Sequence, residues 1–391
     1  QRQMCIRDSL VAVFPAQNET AEASTSRNSS DVLGDQYAVG RGGVDRLDGE
    51  PDRQPEGVEP RGILIAGHSD CVPVTGQAWT SPPFEPTERA GRLYGRGACD
   101  MKAYLGIFAG LAREFATASL SEPVYFAVTW GEETSCDGAR ELVKQLDHLG
   151  IHPRIAYVGE PTMMEVVTAH KSMNSMEIQF NGIAAHSSLL PRGLNAIRYA
   201  AEFIQWFHTE IIDRGIAEGP HDPAFVVPHL TGGVNLLSGG NAGNTVPASA
   251  SLTLEYRALP SADAIEIARR ITRKVDEIDA AMKAALPSAP ADPVQAEQVG
   301  ASLRIRSLLY PLDAGTDGDA VQVARTLGRP VSETKVTYGT EAGIYEAAGM
   351  SAVVVGPGDI AQAHGANEYV DVAQLDECEA FFRALLNHVT V

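Results

Sequence analysis

Residues 62–70 read Gly-Ile-Leu-Ile-Ala-Gly-His-Ser-Asp, an apolar run that ends in a histidine and, two residues later, an acid. Continuous apolar runs of this length suit strands buried on both faces, as in a parallel sheet. The pattern recurs along the chain. Val124 to Thr129 leads through Trp130 to Glu132, Ile155 to Gly159 ends in Glu160, and Ala352 to Val355 ends in Gly356-Pro357-Gly358. Helical stripes lie between these runs. Tyr104, Phe108, Leu111 and Phe115 share one face, as do Ala139, Leu142, Val143 and Leu146. Near the end Asp371 reads as an N-cap, with Gln374 three residues on and an apolar stripe of Leu375, Cys378, Phe382 and Leu385 behind it. This alternation predicts an α/β domain with a mostly parallel central sheet.

The middle of the chain follows another period. Met176, Ile178 and Phe180 alternate with polar residues, and so do Leu252, Leu254 and Tyr256, and Leu303 and Ile305. Period-two alternation marks strands with one buried face, typical of antiparallel sheets. Two amphipathic helices accompany them, one carrying Ile197, Ala200, Ala201, Ile204, Phe207 and Ile211, the other Ile265, Ala268, Ile271, Val275 and Ile278. An α+β domain is therefore expected at 173–310, inserted between a first catalytic segment, 62–172, and a second, 311–391.

Residues 1–61 read differently. The run Leu10 to Phe14 is too short for a signal peptide and stops at Pro15, and 16–61 is rich in Asp, Glu, Arg, Gly, Ser and Pro without an apolar period. The opening QRQMCIRDS looks like a translated sequencing adapter, so this segment is expected to be in part artefactual or frame-shifted.

Composition narrows the partners. The 391 residues hold 31 Lys and Arg against 50 Asp and Glu, a net charge of −19. That argues against a nucleic-acid backbone or an anionic membrane surface and leaves cations open. No apolar run approaches the ~18 residues of a membrane-spanning helix. Five cysteines without a Cys-x-x-Cys pair fit a reducing, cytoplasmic compartment.

The strand-end residues carry the chemistry. In an open α/β sheet, ligands bind beyond the carboxyl ends of the strands. His68, Asp70, Glu132, Glu133 and Glu160 stand there, and Asp100 opens the helix near Met101. One histidine with several carboxylates is the inventory of a hydrolytic Zn²⁺, Co²⁺ or Mn²⁺ site. So many acids repel one another unless cations sit among them, and two ions about 3.5–4 Å apart that share one carboxylate would serve. Asp70, on the same side of the strand as His68, is placed to accept the second imidazole N–H. The adjacent Glu132 and Glu133 can diverge, one to a metal and one to the attacking water as general base. Taken singly, His68 reads first as a satisfied strand-end histidine and Glu132-Glu133 as an exposed loop pair; the joint pattern carries the reading. Cys71 and Cys99 flank these residues, and thiolates can bind zinc, but both are read as packing residues.

These residues stand in motifs that resemble the M20 family of dinuclear zinc peptidases and deacylases: GHSDCVPVTGQAW (67–79), LYGRGACDMK (93–102), WGEETSC (130–136), GEPT (159–162) and AHGANEY (363–369). Within that family YGTEAGIYEAAG (338–349), GPGDIAQAH (356–364) and AHSSLLPRGLNAI (185–197) are most similar to the acetylornithine deacetylases. The resemblance implies a zinc-peptidase-like catalytic domain with an inserted ferredoxin-like lid and dimerisation domain. It implies two Zn²⁺ ions, with Co²⁺ or Mn²⁺ as substitutes, one held by His68 and Glu160, the other by Glu133 and His364, with Asp100 between them. Glu132 would be the general base and then the proton donor to the leaving amine, and Asp70 the partner of His68. His186 would reach the oxyanion, commonly from the second subunit of a homodimer. Asn244 resembles a substrate-contacting loop residue.

Three further substrate contacts are expected. Arg257 could pair with a substrate α-carboxylate, or be a solvated strand residue. Gly356, with Gly358, allows close backbone approach to a ligand, or forms a plain turn. Glu341 could meet a substrate ammonium. The expected reaction is hydrolysis of an N-acyl amino acid, above all N2-acetyl-L-ornithine to L-ornithine and acetate in arginine biosynthesis. The alternatives are succinyl-diaminopimelate desuccinylase, aminoacylase or dipeptidase activity, and an inert metal-binding homologue.

Overall fold

A computed structural model of the protein describes residues 10–14, 16 and 59–391. The readings made for 1–9, 15 and 17–58 lie outside the described residues. The chain falls into two compact units, one reaching His170 and resuming over Leu309–Val391, the other containing Lys171–Leu308.

The first unit is built on a five-stranded sheet in the order Leu10–Phe14, Val124–Thr129, Ile63–His68, Ile155–Val158, Ser351–Val354. The last four strands are parallel and the first is antiparallel to its neighbour. The apolar runs are strands because both their faces are covered: Ile63 to His68 and Ile155 to Val158 are buried at every position. Helix Ala103–Thr117 turns Tyr104, Phe108, Leu111 and Phe115 onto the sheet, and helix Val372–Val389 adds Phe381, Phe382 and Leu385. Phe108 stacks on Phe126 and meets Phe382 edge-on, at 4.6 and 5.0 Å between centroids.

Two expectations are corrected here. Leu10–Phe14, read as part of an atypical segment, is an edge strand, and Phe14 packs 6.0 Å from Phe108 and 5.9 Å from Phe115. Asp371 stands at the N-cap of the last helix but makes no side-chain cap. Its carboxylate accepts instead from Arg92 Nε at 2.9 Å, a bond between two full charges.

The second unit has a four-stranded sheet in the order Thr231–Gly239, Ser249–Arg257, Met173–Asn181, Gly300–Leu309. With helices Ala196–Trp206 and Ala264–Ala284 the chain order is strand-helix-strand-strand-helix-strand, a ferredoxin-like arrangement. Met176, Ile178 and Phe180 pair across the ladder with Leu254, Leu252 and Ala250 and form one apolar face. The first helix is rotated from the stripe read in the sequence. Ala196, Tyr199, Ala200 and Phe203 face the core, whereas Ile197 is 37% exposed. Two apolar stripes compete on this helix, and the aromatic one buries more area.

Candidate metal centre and catalytic site

Three adjacent parallel strands end at one edge of the first sheet. His68 is in register with Thr129, and Ala66 with Val158. His68, Glu132, Glu133 and Glu160 consequently leave the sheet together. Gly131 makes this possible for the two glutamates: its φ of +71° lies in the left-handed region that a Cβ disfavours. Its carbonyl accepts the N–H groups of Ser135 and Cys136 at 3.0 and 2.8 Å, which closes the turn. Asp100 enters from the turn Ala98–Lys102, just before helix Ala103–Thr117. His364 comes from the loop that follows Ser351–Val354.

Asp100 sits between the two histidines. Its Oδ1 is 3.0 Å from His68 Nε2 and its Oδ2 3.1 Å from His364 Nε2. His364 Nε2 lies 3.0 Å from Glu133 Oε2, and His68 Nε2 lies 3.6 Å from Glu160 Oε1. The ligand-type atoms of His68, Glu132 and Glu160 all fall within 4.8 Å of one another, and those of Asp100, Glu133 and His364 do the same.

The donor chemistry fits two divalent cations. Two imidazoles and carboxylate oxygens are a zinc-type set. Glu160 Oε1 is buried without a hydrogen-bond partner, which is costly for a group of this polarity unless something else satisfies it. Burial, with the charges of Asp100 and Glu132 nearby, drives the Glu160 carboxyl well above its ordinary range. Burial likewise pushes Glu132 up to about 8, and the charges of Glu341, Asp100 and Glu133 add to the effect. Hydrogen bonds donated to the carboxylates of Asp100 and Glu133 raise His364 to about 10. For Asp100, burial acts upward, but the bonds from His364 and His68 prevail and hold it low.

The sign of the resulting pH dependence follows. Glu132, Glu160 and both histidines bind protons more tightly folded than unfolded, so their contribution to stability is complete below the unfolded values. It is lost as pH rises through the folded ones. The metal-free protein is expected to melt several degrees lower at pH 9 than at pH 6. Saturating Zn²⁺ should flatten that slope by stabilising the ionised carboxylates. Melting curves across this range with and without Zn²⁺ check it; a metal-free protein that gains stability toward pH 9 would contradict the reading.

Asp70 is placed differently from the expectation. The Nδ1 of His68 meets the main-chain carbonyl of Asp70 at 3.0 Å, whereas the carboxylate Oδ1 is 3.6 Å away. That carboxylate accepts the backbone N–H groups of Glu132 and Glu133 at 3.3 and 3.2 Å. Asp70 thus orients His68 with its backbone and pins the two glutamates with its side chain. A short strand-end loop makes the main-chain oxygen the nearer acceptor.

Two expected substrate contacts are corrected. Glu341 is fully buried, accepting from Thr129 Oγ1 at 2.5 Å and Tyr345 Oη at 3.3 Å. It has no surface with which to meet a substrate ammonium, and burial raises its carboxyl to about 7. Gly356 does permit a close backbone approach, but to its own chain. A Cβ there would stand 2.1 Å from the carbonyl oxygen of Gly159 and 2.6 Å from that of Glu160. Gly356→Ala is expected to destabilise the protein by about 1–3 kcal/mol through overpacking against backbone that cannot rotate away. Denaturant unfolding measures it, and an unchanged midpoint would show that the strand end yields.

His186, Asn244 and Arg257 belong to the second unit. His186 is exposed, its Nδ1 2.7 Å from Ser188 Oγ. It pairs with Thr245 in a short ladder, and the next residue, Ser187, donates its N–H to the Asn244 carbonyl at 2.9 Å. The fold thus places His186 and Asn244 side by side. Arg257 Nε donates to Glu255 Oε1 at 2.7 Å. Cys99 is buried against the carbonyl of Asp359 at 3.4 Å, and Cys71 is half-buried. The sequence reading passed over Arg96 and Glu368, a fully buried ion pair beside Asp100. The available signal was a charged residue inside each of two glycine-rich motifs that carry ligands.

Residues 64–388 match the profile of Peptidase family M20/M25/M40. The chain is 32% identical over 330 residues to the acetylornithine deacetylase of Proteus mirabilis, covering 84% of this chain and 79% of that protein. It is equally identical over the same length to the acetylornithine deacetylase of Pectobacterium atrosepticum, covering 84% and 80%. Among solved structures, the aminopeptidase PepT of Bacillus cereus superposes with a TM-score of 0.57 at 20% identity, over 86% of this chain and 82% of that one. Human carnosine dipeptidase 1 gives 0.56 at 14% identity, over 84% and 80%. At these identities the structures speak for the fold.

Proposed function

We propose, for a chain that belongs to peptidase family M20/M25/M40 and is a hydrolase of that family, the hydrolysis of N2-acetyl-L-ornithine to L-ornithine and acetate. The convergence of His68, Asp100, Glu132, Glu133, Glu160 and His364 at one sheet edge carries the hydrolytic part of this reading. The substrate rests on the activity named for the relatives at 32% identity.

His68 and Glu160 would hold one cation and Glu133 and His364 the other, with one oxygen of Asp100 turned to each. When bound, the two ions, Zn²⁺ in this reading, supply Lewis acidity that polarises an amide carbonyl and lowers the pKa of water. The chain's own part is proton transfer and positioning. Glu132 takes a proton from the attacking water and passes it to the departing nitrogen, so the C–N bond breaks as the amine is neutralised. Asp70 holds the Glu132 backbone while this happens. His186 and Asn244 are assigned to the oxyanion and substrate side, and Arg257 to the substrate carboxylate.

A homodimer through the second unit belongs to the same proposal. Strand Thr231–Gly239 lies at the edge of its sheet, with Leu236 67% and Leu237 58% exposed. An unpaired apolar edge invites a second copy. A reducing, cytoplasmic setting agrees with the free thiols of Cys71, Cys99, Cys136 and Cys378. Among the described residues no helix is long and apolar enough to cross a membrane. The deciding experiment is a Zn²⁺-loaded activity panel on acetylornithine, succinyl-diaminopimelate, other N-acetyl amino acids and dipeptides. Acetylornithine is expected to give the highest kcat/KM, and preference for another member would replace the substrate while keeping the chemistry.

A further inference from the structure

We infer that Arg96, Glu368 and Gln77 form a buried brace that sets the spacing of Asp100 and His364. The inference rests on the reading of those two residues as metal ligands. Glu368 Oε1 accepts the backbone N–H of Cys99 at 2.9 Å and of Asp100 at 3.1 Å. Its Oε2 meets Arg96 Nη1 at 2.5 Å, and both side chains are 1% exposed. The other end of the same guanidinium reaches across to the second ligand. Arg96 Nη2 donates to the His364 carbonyl at 3.2 Å and to Gln77 Oε1 at 2.5 Å. Gln77 Nε2 donates to that carbonyl at 2.8 Å.

The brace has a specific task. His364 is a non-glycine residue in the left-handed region, with φ +63°, on a loop whose side chain is 52% exposed. Packing alone does not fix such a residue, and two donors on its carbonyl do. Asp100 stands in a turn with non-helical backbone angles, and the only acceptor that takes its N–H among the described hydrogen bonds is Glu368. A planar guanidinium that spans both attachments transmits one fixed distance between them, which a flexible lysine ammonium does not. Arg96, Glu368 and Gln77 are positioning residues that act through Asp100 and His364.

The test measures Zn²⁺ stoichiometry, Zn²⁺ affinity against a competing chelator, the Co²⁺ absorption spectrum and the melting temperature. The proteins are the full-length wild type, Gln77→Ala, Arg96→Met and the double variant Arg96→Met with Glu368→Gln. The single Arg96→Met leaves a buried carboxylate unpaired and is expected to lose stability, whereas the double variant recovers it because neither charge remains. Affinity at the Asp100–His364 side should nevertheless fall by about 10–100-fold in both, the loss typical of an outer partner of a ligand. Gln77→Ala, at a partly exposed position, keeps the fold and should lower affinity in the same direction, with a shifted Co²⁺ spectrum. Wild-type affinity and spectrum in a stably folded double variant or in Gln77→Ala would overturn the brace. A wild type that binds no Zn²⁺ would instead overturn the ligand reading beneath it.

Discussion

Glu132→Gln is expected to lower kcat by roughly 10²- to 10⁴-fold, the range for loss of a general acid–base group, while two Zn²⁺ ions per chain are retained. The substitution is isosteric and leaves the backbone N–H at Asp70 Oδ1 untouched. It replaces a carboxyl that burial raises to about 8 with a neutral amide of the same size, so it should not weaken the fold. The variant also separates two roles that the geometry brings close. An oxygen of Glu132 lies within 4.8 Å of ligand atoms on both His68 and Glu160. If Glu132 were a ligand, metal content would drop with activity. If it is the base, activity falls alone. Elemental analysis beside steady-state kinetics distinguishes these, and wild-type turnover in the variant would falsify the proton-transfer role.

Asp100→Ala should be more damaging to the metal centre than any other single ligand change. Each of its oxygens faces a different histidine, at 3.0 and 3.1 Å, so on the proposed reading both ions would lose a ligand at once. Removal of an outer partner already costs about 10–100-fold in affinity, and removal of the shared carboxylate should exceed that at both positions. His364→Ala, in contrast, should empty one position and leave the other. Metal content after dialysis against a weak chelator is expected to approach zero for Asp100→Ala and one ion for His364→Ala. Two ions retained in Asp100→Ala would mean that Asp100 is not shared.

The catalytic sheet was legible in the sequence because its strands are buried on both faces, which leaves an unbroken apolar signature. His68, Glu132, Glu133 and Glu160 were legible because each stands just beyond such a run, whereas Asp100 showed only as the opening of a helix and His364 only through the motif resemblance. The short strand Leu10–Phe14 was not, since five residues beside a charged, apolar-poor stretch carry no periodic signal of their own. The helix Ala196–Trp206 misled because Ile197 and Ala201 compete at helical spacing with Tyr199 and Phe203. Within the site, residue type announced chemistry but not direction. Glu341 reads the same whether it faces a substrate or Thr129, and Gly356 the same whether it admits a ligand or the backbone of Glu160. The task of Asp70 was half hidden, because a main-chain carbonyl has no letter in the sequence.

The antiparallel strand Leu10–Phe14 has a practical consequence for handling the protein. It occupies the outer side of Val124–Thr129, pairing Phe14 with Val124 through to Leu10 with Val128. A truncation that begins at Gly62, where the regular α/β pattern starts, would strip this cover. The exposed row of N–H and C=O groups would lie along an apolar six-residue strand with no charge to repel a newcomer, the kind of edge that templates aggregation. Such a truncation would keep every proposed metal ligand and still be difficult to keep monodisperse in solution. Shortened versions intended for crystallisation should therefore retain the strand or place a lysine on the edge it leaves bare.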